Sequence, residues 1–200
     1  MLAEISPKLV MELRQRTGVG MMECKKALAE TNGNIDLAIE TLRKSGAAKA
    51  ASKAARAASE GVVESYIHPG GRVGVLVEIN CETDFVARTD DFQALARNIA
   101  MHIAALNPVA IRREEVDPAL AASERAIYAD QVKAEGKPEA IVEKIVDGKM
   151  TRWYSEIVLL EQPYVKDDKK SVGDLLQEAI AKMGENIQVR RFAKFRLGQD

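Results

Sequence analysis

The stretch that decides the fold runs Gly61-Val-Val-Glu-Ser-Tyr-Ile-His-Pro-Gly-Gly-Arg-Val-Gly-Val-Leu-Val-Glu-Ile79. Val73, Val75, Val77 and Ile79 recur with a period of two, which places them on one face of a strand. Val63, Ser65 and Ile67 alternate with charged or polar neighbours, and Pro69-Gly70-Gly71 supplies turn chemistry between the two runs. The segment reads as a β-hairpin. A final strand carries Ile187, Val189, Ala193, Phe195 and Leu197 on one face, interrupted by Arg191. Between these strands the period shifts to that of a helix. Phe92, Leu95, Ala96, Ile99, Ile103 and Leu106 form a stripe behind an Asp90-Asp91 cap, and Asn107-Pro108 ends it. Val172, Leu175, Leu176, Ala179, Ile180 and Met183 form a second stripe, closed by Gly184. The pattern predicts an α+β fold: an antiparallel three-stranded sheet with helices packed on one side. A sheet that small leaves edges and a face to cover, which points to a partner or to a second copy.

Working outward, residues 118–160 read as two charged helices in antiparallel array, broken near Gly136-Lys137-Pro138. Gln162-Pro163-Tyr164 ends this insert, and Lys166 to Lys170 reads as a charged loop. Before the hairpin, Ser6-Pro7 is a helix start, with a Ser N-cap and Pro in the first helical position. Leu9, Val10 and Leu13 share a face, and Thr17-Gly18-Val19-Gly20 breaks that helix. Met21 to Glu30 forms a second helix. Asn34 caps a third, lined by Ile35, Ala38, Ile39 and Leu42, with Gly46 as its stop signal. Residues 47–60 are rich in Ala and Lys and carry no large apolar anchor, so they read as a helical or mobile linker. The predicted organisation is a three-helix bundle over 1–46, a linker over 47–60, and an α+β core over 61–200 with its helical insert at about 118–160.

Composition narrows the function. With 29 basic against 30 acidic residues, the net charge of −1 gives no general field toward nucleic acid or an anionic membrane. Lys49, Lys53, Arg56, Arg190, Arg191, Lys194 and Arg196 supply local positive charge, but aromatics are only 4%, too few for stacking platforms. No apolar run approaches the ~20 residues of a membrane span. The N-terminus shows no signal-peptide pattern, so a cytoplasmic location is expected. Cys24 and Cys81 lie outside any Cys-x-x-Cys pattern and read as reduced thiols.

Catalytic constellations are hard to find. His68 and His102 are isolated. No nucleophile elbow, zinc-protease helix or phosphate loop is present. Gly18-Val19-Gly20 opens like a dinucleotide fingerprint, but Glu23 stands where its third Gly belongs and no strand precedes it. The expectation is no catalytic residue, no metal, no cofactor and no direct nucleotide binding. Two segments stand out without chemistry of their own. In Arg14-Gln-Arg-Thr-Gly-Val-Gly-Met-Met-Glu-Cys-Lys-Lys26, adjacent methionines cannot both face inward, because neighbouring helical positions lie ~100° apart. An outward Met suits a protein interface. In Glu78-Ile-Asn-Cys-Glu-Thr-Asp-Phe-Val-Ala-Arg88, a strand ends and Thr83 or Asp84 begins a turn or helix. There Phe85 either plugs the core or projects as an apolar wedge beside a charge.

These segments resemble those of the bacterial elongation factor Ts family. Leu13 to Gly20 matches its Leu-Arg-x-x-Thr-Gly-x-Gly. Met21 to Leu28 matches its Met-Met-Asp-Cys-Lys-Lys-Ala-Leu, with Glu23 for Asp. Thr83 to Arg88 matches its Thr-Asp-Phe-Val-Ala-Arg in full. Leu160 to Tyr164 and Gly184 to Phe192 are also similar, so the resemblance spans the chain. It implies a ubiquitin-associated-like bundle before the core, no enzymatic bond chemistry, and guanine-nucleotide exchange on the GTPase elongation factor Tu. It implies that Arg14, Met21, Met22 and Lys25 contact the GTPase domain. Thr83, Asp84, Phe85 and Val86 form the second contact, with Asp84 and Phe85 intruding near the GDP and magnesium site. Longer members of the family carry a duplicated core and a long coiled coil. This chain has one core copy, and short members pair two chains, so a homodimer is implied, with no nucleic acid or membrane partner.

Overall fold

The computed structural model describes residues 5–136 and 138–199. Met1 to Glu4, part of the segment read for a signal peptide, and Lys137, named in the break of the insert, lie outside them. Within the described residues the chain is mixed helix and strand, with a three-stranded antiparallel sheet as its main sheet. Contacts divide it into two compact units, Met1–Val62 with Ile79–Leu95 and Leu176–Arg190, and Val63–Glu78 with Ala96–Leu175 and Arg191–Asp200.

The first unit opens with α1 (Pro7–Thr17), α2 (Met21–Glu30) and α3 (Ile35–Lys53). Their boundaries follow cap chemistry. The Ser6 hydroxyl accepts from the Leu9 N–H, the Asn34 side chain accepts from the Leu37 N–H, and Gly18 ends α1 in the left-handed region at φ 69°. Val10, Leu13, Cys24, Ala27, Leu28 and Ala38 form a buried cluster among them. Gly46 does not stop α3, which continues to Lys53. A Cβ at Gly46 would lie 3.7 Å from the Ala181 Cβ, an ordinary packing distance, so the position is a point of close approach inside a helix.

Strands β1 (Glu60–Ile67) and β2 (Val73–Cys81) form the hairpin, and β5 (Gln188–Arg196) pairs on the other side of β2, giving the order β1-β2-β5. One turn, α4 (Asp84–Ala87), follows β2, then the long α5 (Asp90–Leu106). In the first unit Ile79, Cys81, Phe92, Leu95, Ile187 and Val189 are buried.

In the second unit Val75, Val77, Ile99 and Ile103 are buried, and the Lys194 ammonium donates to the Ile103 and Ala104 carbonyls at 3.0 and 2.9 Å, capping the end of α5. β5 therefore meets the helix through the parity of Lys194. From Arg191 onward the side of β5 that carries the apolar residues looks outward, with Phe195 and Leu197 exposed. Arg191 reaches across to Glu78 on β2 at 2.7 Å. Helices α6 (Pro118–Ala134) and α7 (Glu139–Ile157) form the insert, with Val132, Val142, Val146 and Met150 as their own small core. The segment read as a charged loop is a strand. β4 (Asp167–Ser171) pairs antiparallel with β3 (Pro163–Tyr164), and Tyr164 is buried while the charged side chains of β4 mostly face water. Helix α8 (Val172–Met183) then leads to Gly184, which ends it at φ 79°.

Candidate functional site

Both segments singled out by sequence belong to the first unit. At the turn between α1 and α2, backbone geometry is set by short polar side chains. The Thr17 hydroxyl donates to the Leu13 carbonyl at 2.8 Å, and the Cys24 thiol donates to the Val19 carbonyl at 3.5 Å. Cys24 is fully buried, so the turn is tied to the bundle's core from beneath. Arg14, Met21, Met22 and Lys25 are all exposed, Met22 to 77%. Neither methionine fills the core. Glu23, between them and Cys24, is paired with Lys49 of α3.

The second segment is a built turn. Thr83 is the N-cap of α4, its hydroxyl accepting from the Val86 N–H at 3.3 Å. Asp84 occupies the first helical position, where a carboxylate complements the helix dipole, and pairs with Arg88 at 2.8 Å. Val86 and Ala87 are buried and seat the turn. Val86 therefore lies beneath the surface that Thr83, Asp84 and Phe85 present. Phe85 is 78% exposed, although it is a large apolar side chain in a well-capped turn. Of the two fates open to it by sequence, core plug or projection, the structure shows projection.

A carboxylate that sequence reading did not single out holds this turn. Glu185, directly after Gly184, accepts the N–H of Glu82 at 3.0 Å and of Thr83 at 3.1 Å on Oε2, and the Thr83 hydroxyl at 2.6 Å on Oε1. Glu82 answers by accepting the Asn186 N–H at 2.7 Å. The signal was available as Gly184-Glu185-Asn186, a helix stop followed by two side chains suited to backbone groups, but nothing in it names the loop they bind. Burial, and secondarily the Glu185 charge, pushes the Cys81 thiol up to about 11, which leaves it protonated and unreactive at neutral pH.

Among the described residues no group of three or more His, Cys, Asp or Glu is arranged to hold a metal ion, and no helix is long and apolar enough to cross a membrane. His102 is wholly buried and fully hydrogen-bonded within the second unit.

Fold and site define a class first: an α+β protein that displays an ordered apolar ring on a capped turn. The family model described as elongation factor TS matches residues 35–179. Elongation factor Ts of Anaeromyxobacter sp. (strain K) is 58% identical over 198 residues, covering 99% of this chain and 90% of the relative. That of Desulforamulus reducens is 57% identical over 99% of this chain and 91% of its own length. That of Thermosipho melanesiensis is 55% identical over 98% of this chain and 100% of its own. The chain belongs to the elongation factor Ts family.

Proposed function

We propose that this protein is a cytoplasmic guanine-nucleotide exchange factor that binds elongation factor Tu with GDP, promotes GDP release and so allows GTP to reload during translation elongation. It makes and breaks no covalent bond and binds no nucleotide itself. The observation that carries the reading is Phe85, an exposed aromatic ring on a turn held by hydrogen bonds, in a chain of this family. An exposed Phe costs solubility, and a turn capped this thoroughly keeps it from folding back into the core.

Exchange is a matter of linkage. The factor must bind the nucleotide-free partner better than the GDP form, and whatever factor it weakens GDP by, GDP weakens it by the same. Burying a Phe ring in the open partner supplies roughly 1.5–3 kcal/mol, or about one to two decades of GDP affinity. The remainder comes from the Arg14, Met21, Met22 and Lys25 surface, from Thr83, and from disturbed magnesium coordination. Asp84, beside the ring, is proposed to act on the groups around that magnesium. Val86 contributes from below, as the seat of the turn.

The organisation we propose is a docking bundle over 1–46, a linker over 47–60 and a dimerising core over 61–200. A homodimer is supported by the outward face of the sheet in the second unit, where Val63, Ile67, Leu76, Phe195 and Leu197 are exposed together. Two such faces pressed together satisfy each other.

The deciding experiment follows release of a fluorescent GDP from elongation factor Tu. The wild type should accelerate release. Phe85→Ala should lose roughly 10- to 100-fold of that acceleration, in line with the burial term. Acceleration that survives the substitution would discard Phe85 as the main lever, and none from the wild type would discard the exchange reading. Asp84→Asn tests the magnesium role separately: unchanged exchange would remove it.

A further inference from the structure

We propose that Glu185 is a positioning residue for exchange, whose carboxylate fixes the Thr83–Phe85 backbone so that the Phe85 ring is presented in its working direction. This rests on the reading of Phe85 as the exchange lever. Because the ring is 78% exposed, the direction of the side chain follows from its backbone. That backbone belongs to a single four-residue turn, which has no stability of its own. Three of the bonds that define its entry end on one carboxylate: the Glu82 N–H, the Thr83 N–H and the Thr83 hydroxyl. These are charge-assisted bonds, stronger than neutral ones. The hydroxyl is committed twice, donating to Glu185 and accepting from Val86, so its rotor has one setting that serves both.

Glu185 is itself held in a rigid place. It lies between the end of α8 and the start of β5, and its neighbour Asn186 is buried. The Asn186 amide donates to the Arg56 carbonyl at 2.7 Å and to the Ala54 carbonyl at 3.4 Å, and its N–H to Glu82 at 2.7 Å. Arg56 stands 3.5 Å from the Glu82 carboxylate, offsetting the like charge of Glu82 and Glu185. Lys53 donates to the Gly184 carbonyl. The segment after α3, the turn before β5 and the Phe85 loop thus form one hydrogen-bonded clamp. An element that merely needed a stable loop could use any one of these bonds. Three on a single carboxylate remove the freedom of the one loop whose direction the proposed exchange requires.

The test measures fluorescent GDP release from elongation factor Tu over a range of factor concentrations, giving a maximal rate and a half-saturating concentration for each variant. Glu185→Ala should lower the maximal rate roughly tenfold while moving half-saturation by less than about threefold, since misorientation costs the committed step more than docking. Glu185→Gln, which keeps one acceptor oxygen, should fall between Glu185→Ala and the wild type, and it carries the test if the Ala variant does not fold. In a Phe85→Ala background, Glu185→Ala should change the rate by less than about twofold, because it acts through the ring. Equal losses in both backgrounds, or a loss confined to half-saturation, would overturn the inference. If Phe85→Ala slows exchange while both Glu185 variants match the wild type, the positioning role alone falls. If Phe85→Ala changes nothing, the lever reading falls and this inference with it.

Discussion

His102 shows how much one buried side chain can be made to specify. Its Nδ1 accepts the Val165 N–H at 3.2 Å, so the proton must sit on Nε2, which lies 3.0 Å from the Gln162 side-chain oxygen. The Gln162 amide in turn donates to the Glu156 carbonyl at 2.7 Å. The Tyr164 ring lies alongside at 6.0 Å, and none of these contacts is an ionised group. A second proton would set an N–H against an N–H. Burial lowers the His102 pKa from its ordinary 6.5, and the Gln162 bond only partly opposes this. The unfolded chain therefore binds a proton that the folded chain refuses, so stability rises with pH across this window and is lost as pH falls below 6.5. The slope from this one group is at most about 1.4 kcal/mol per pH unit. In urea titrations from pH 7 to about 5, His102→Gln should remove that part of the slope. Identical slopes in the two proteins would show that His102 is not the group responsible. Sequence could place His102 on a helix and mark it as solvated or packed, but not choose between the two. The choice is made by Gln162 and Val165, some sixty residues away, and sequence does not display that pairing. Glu185 escaped notice for the same reason: its role is defined by amides a hundred residues distant. Phe85 and Met22 were more visible because an apolar residue in a polar, turn-rich setting is odd locally.

At the scale of elements, legibility followed burial. Helices α5 and α8 and strand β2 each cover one face, and their periodicity says so. β4 was unreadable because Asp167-Asp-Lys-Lys-Ser171 has no apolar phase; it becomes a strand through its partner β3 and the buried Tyr164. In β5 alternation separated two faces but could not tell which one α5 covers beyond Arg191. Two glycines sharpen the point. Gly61 has φ 143°, and a Cβ there would stand 2.1 Å from the Ile79 carbonyl oxygen, a collision with strand backbone that no rotamer relieves. Gly61→Ala should destabilise by about 3 kcal/mol or more, combining backbone strain with the forced separation of β1 and β2. Gly46, read from sequence as a helix stop, has room at 3.7 Å and lies within α3. Gly46→Ala should therefore stabilise by up to about 1 kcal/mol, the difference in helix propensity. Thermal melts of the two variants should move in opposite directions, and a loss of stability at Gly46 would mean that Ala181 cannot tolerate the added methyl.

At the scale of the whole molecule, the unsatisfied surface is the outward side of the second unit's sheet. Sequence alone points to an uncovered face, because three strands are too few to close on themselves, and it puts the apolar residues of β5 on one face without saying which way that face looks. Their true direction strengthens the argument for a second copy. Phe195 is 68% exposed, and Ile67, Leu76 and Leu197 line a groove with it beside Arg72 and Arg196. Burying four such side chains on each copy, eight in all, would contribute at most about 12–24 kcal/mol at roughly 1.5–3 kcal/mol apiece, before the cost of association is subtracted. A two-fold axis through this face lets each ring meet the opposite sheet and needs no other partner. Phe85 belongs to the other unit. Sedimentation velocity at micromolar concentration should show a dimer for the wild type. Phe195→Asp, which removes the apolar ring and adds a carboxylate that association would have to strip of water, should give a monomer of unchanged far-ultraviolet dichroism. In that monomer Phe85 and its clamp are untouched, so GDP release per chain should persist at high concentration, with weaker apparent affinity if both copies grip the partner. A wild-type monomer, or a Phe195→Asp dimer, would remove the sheet face as the meeting surface.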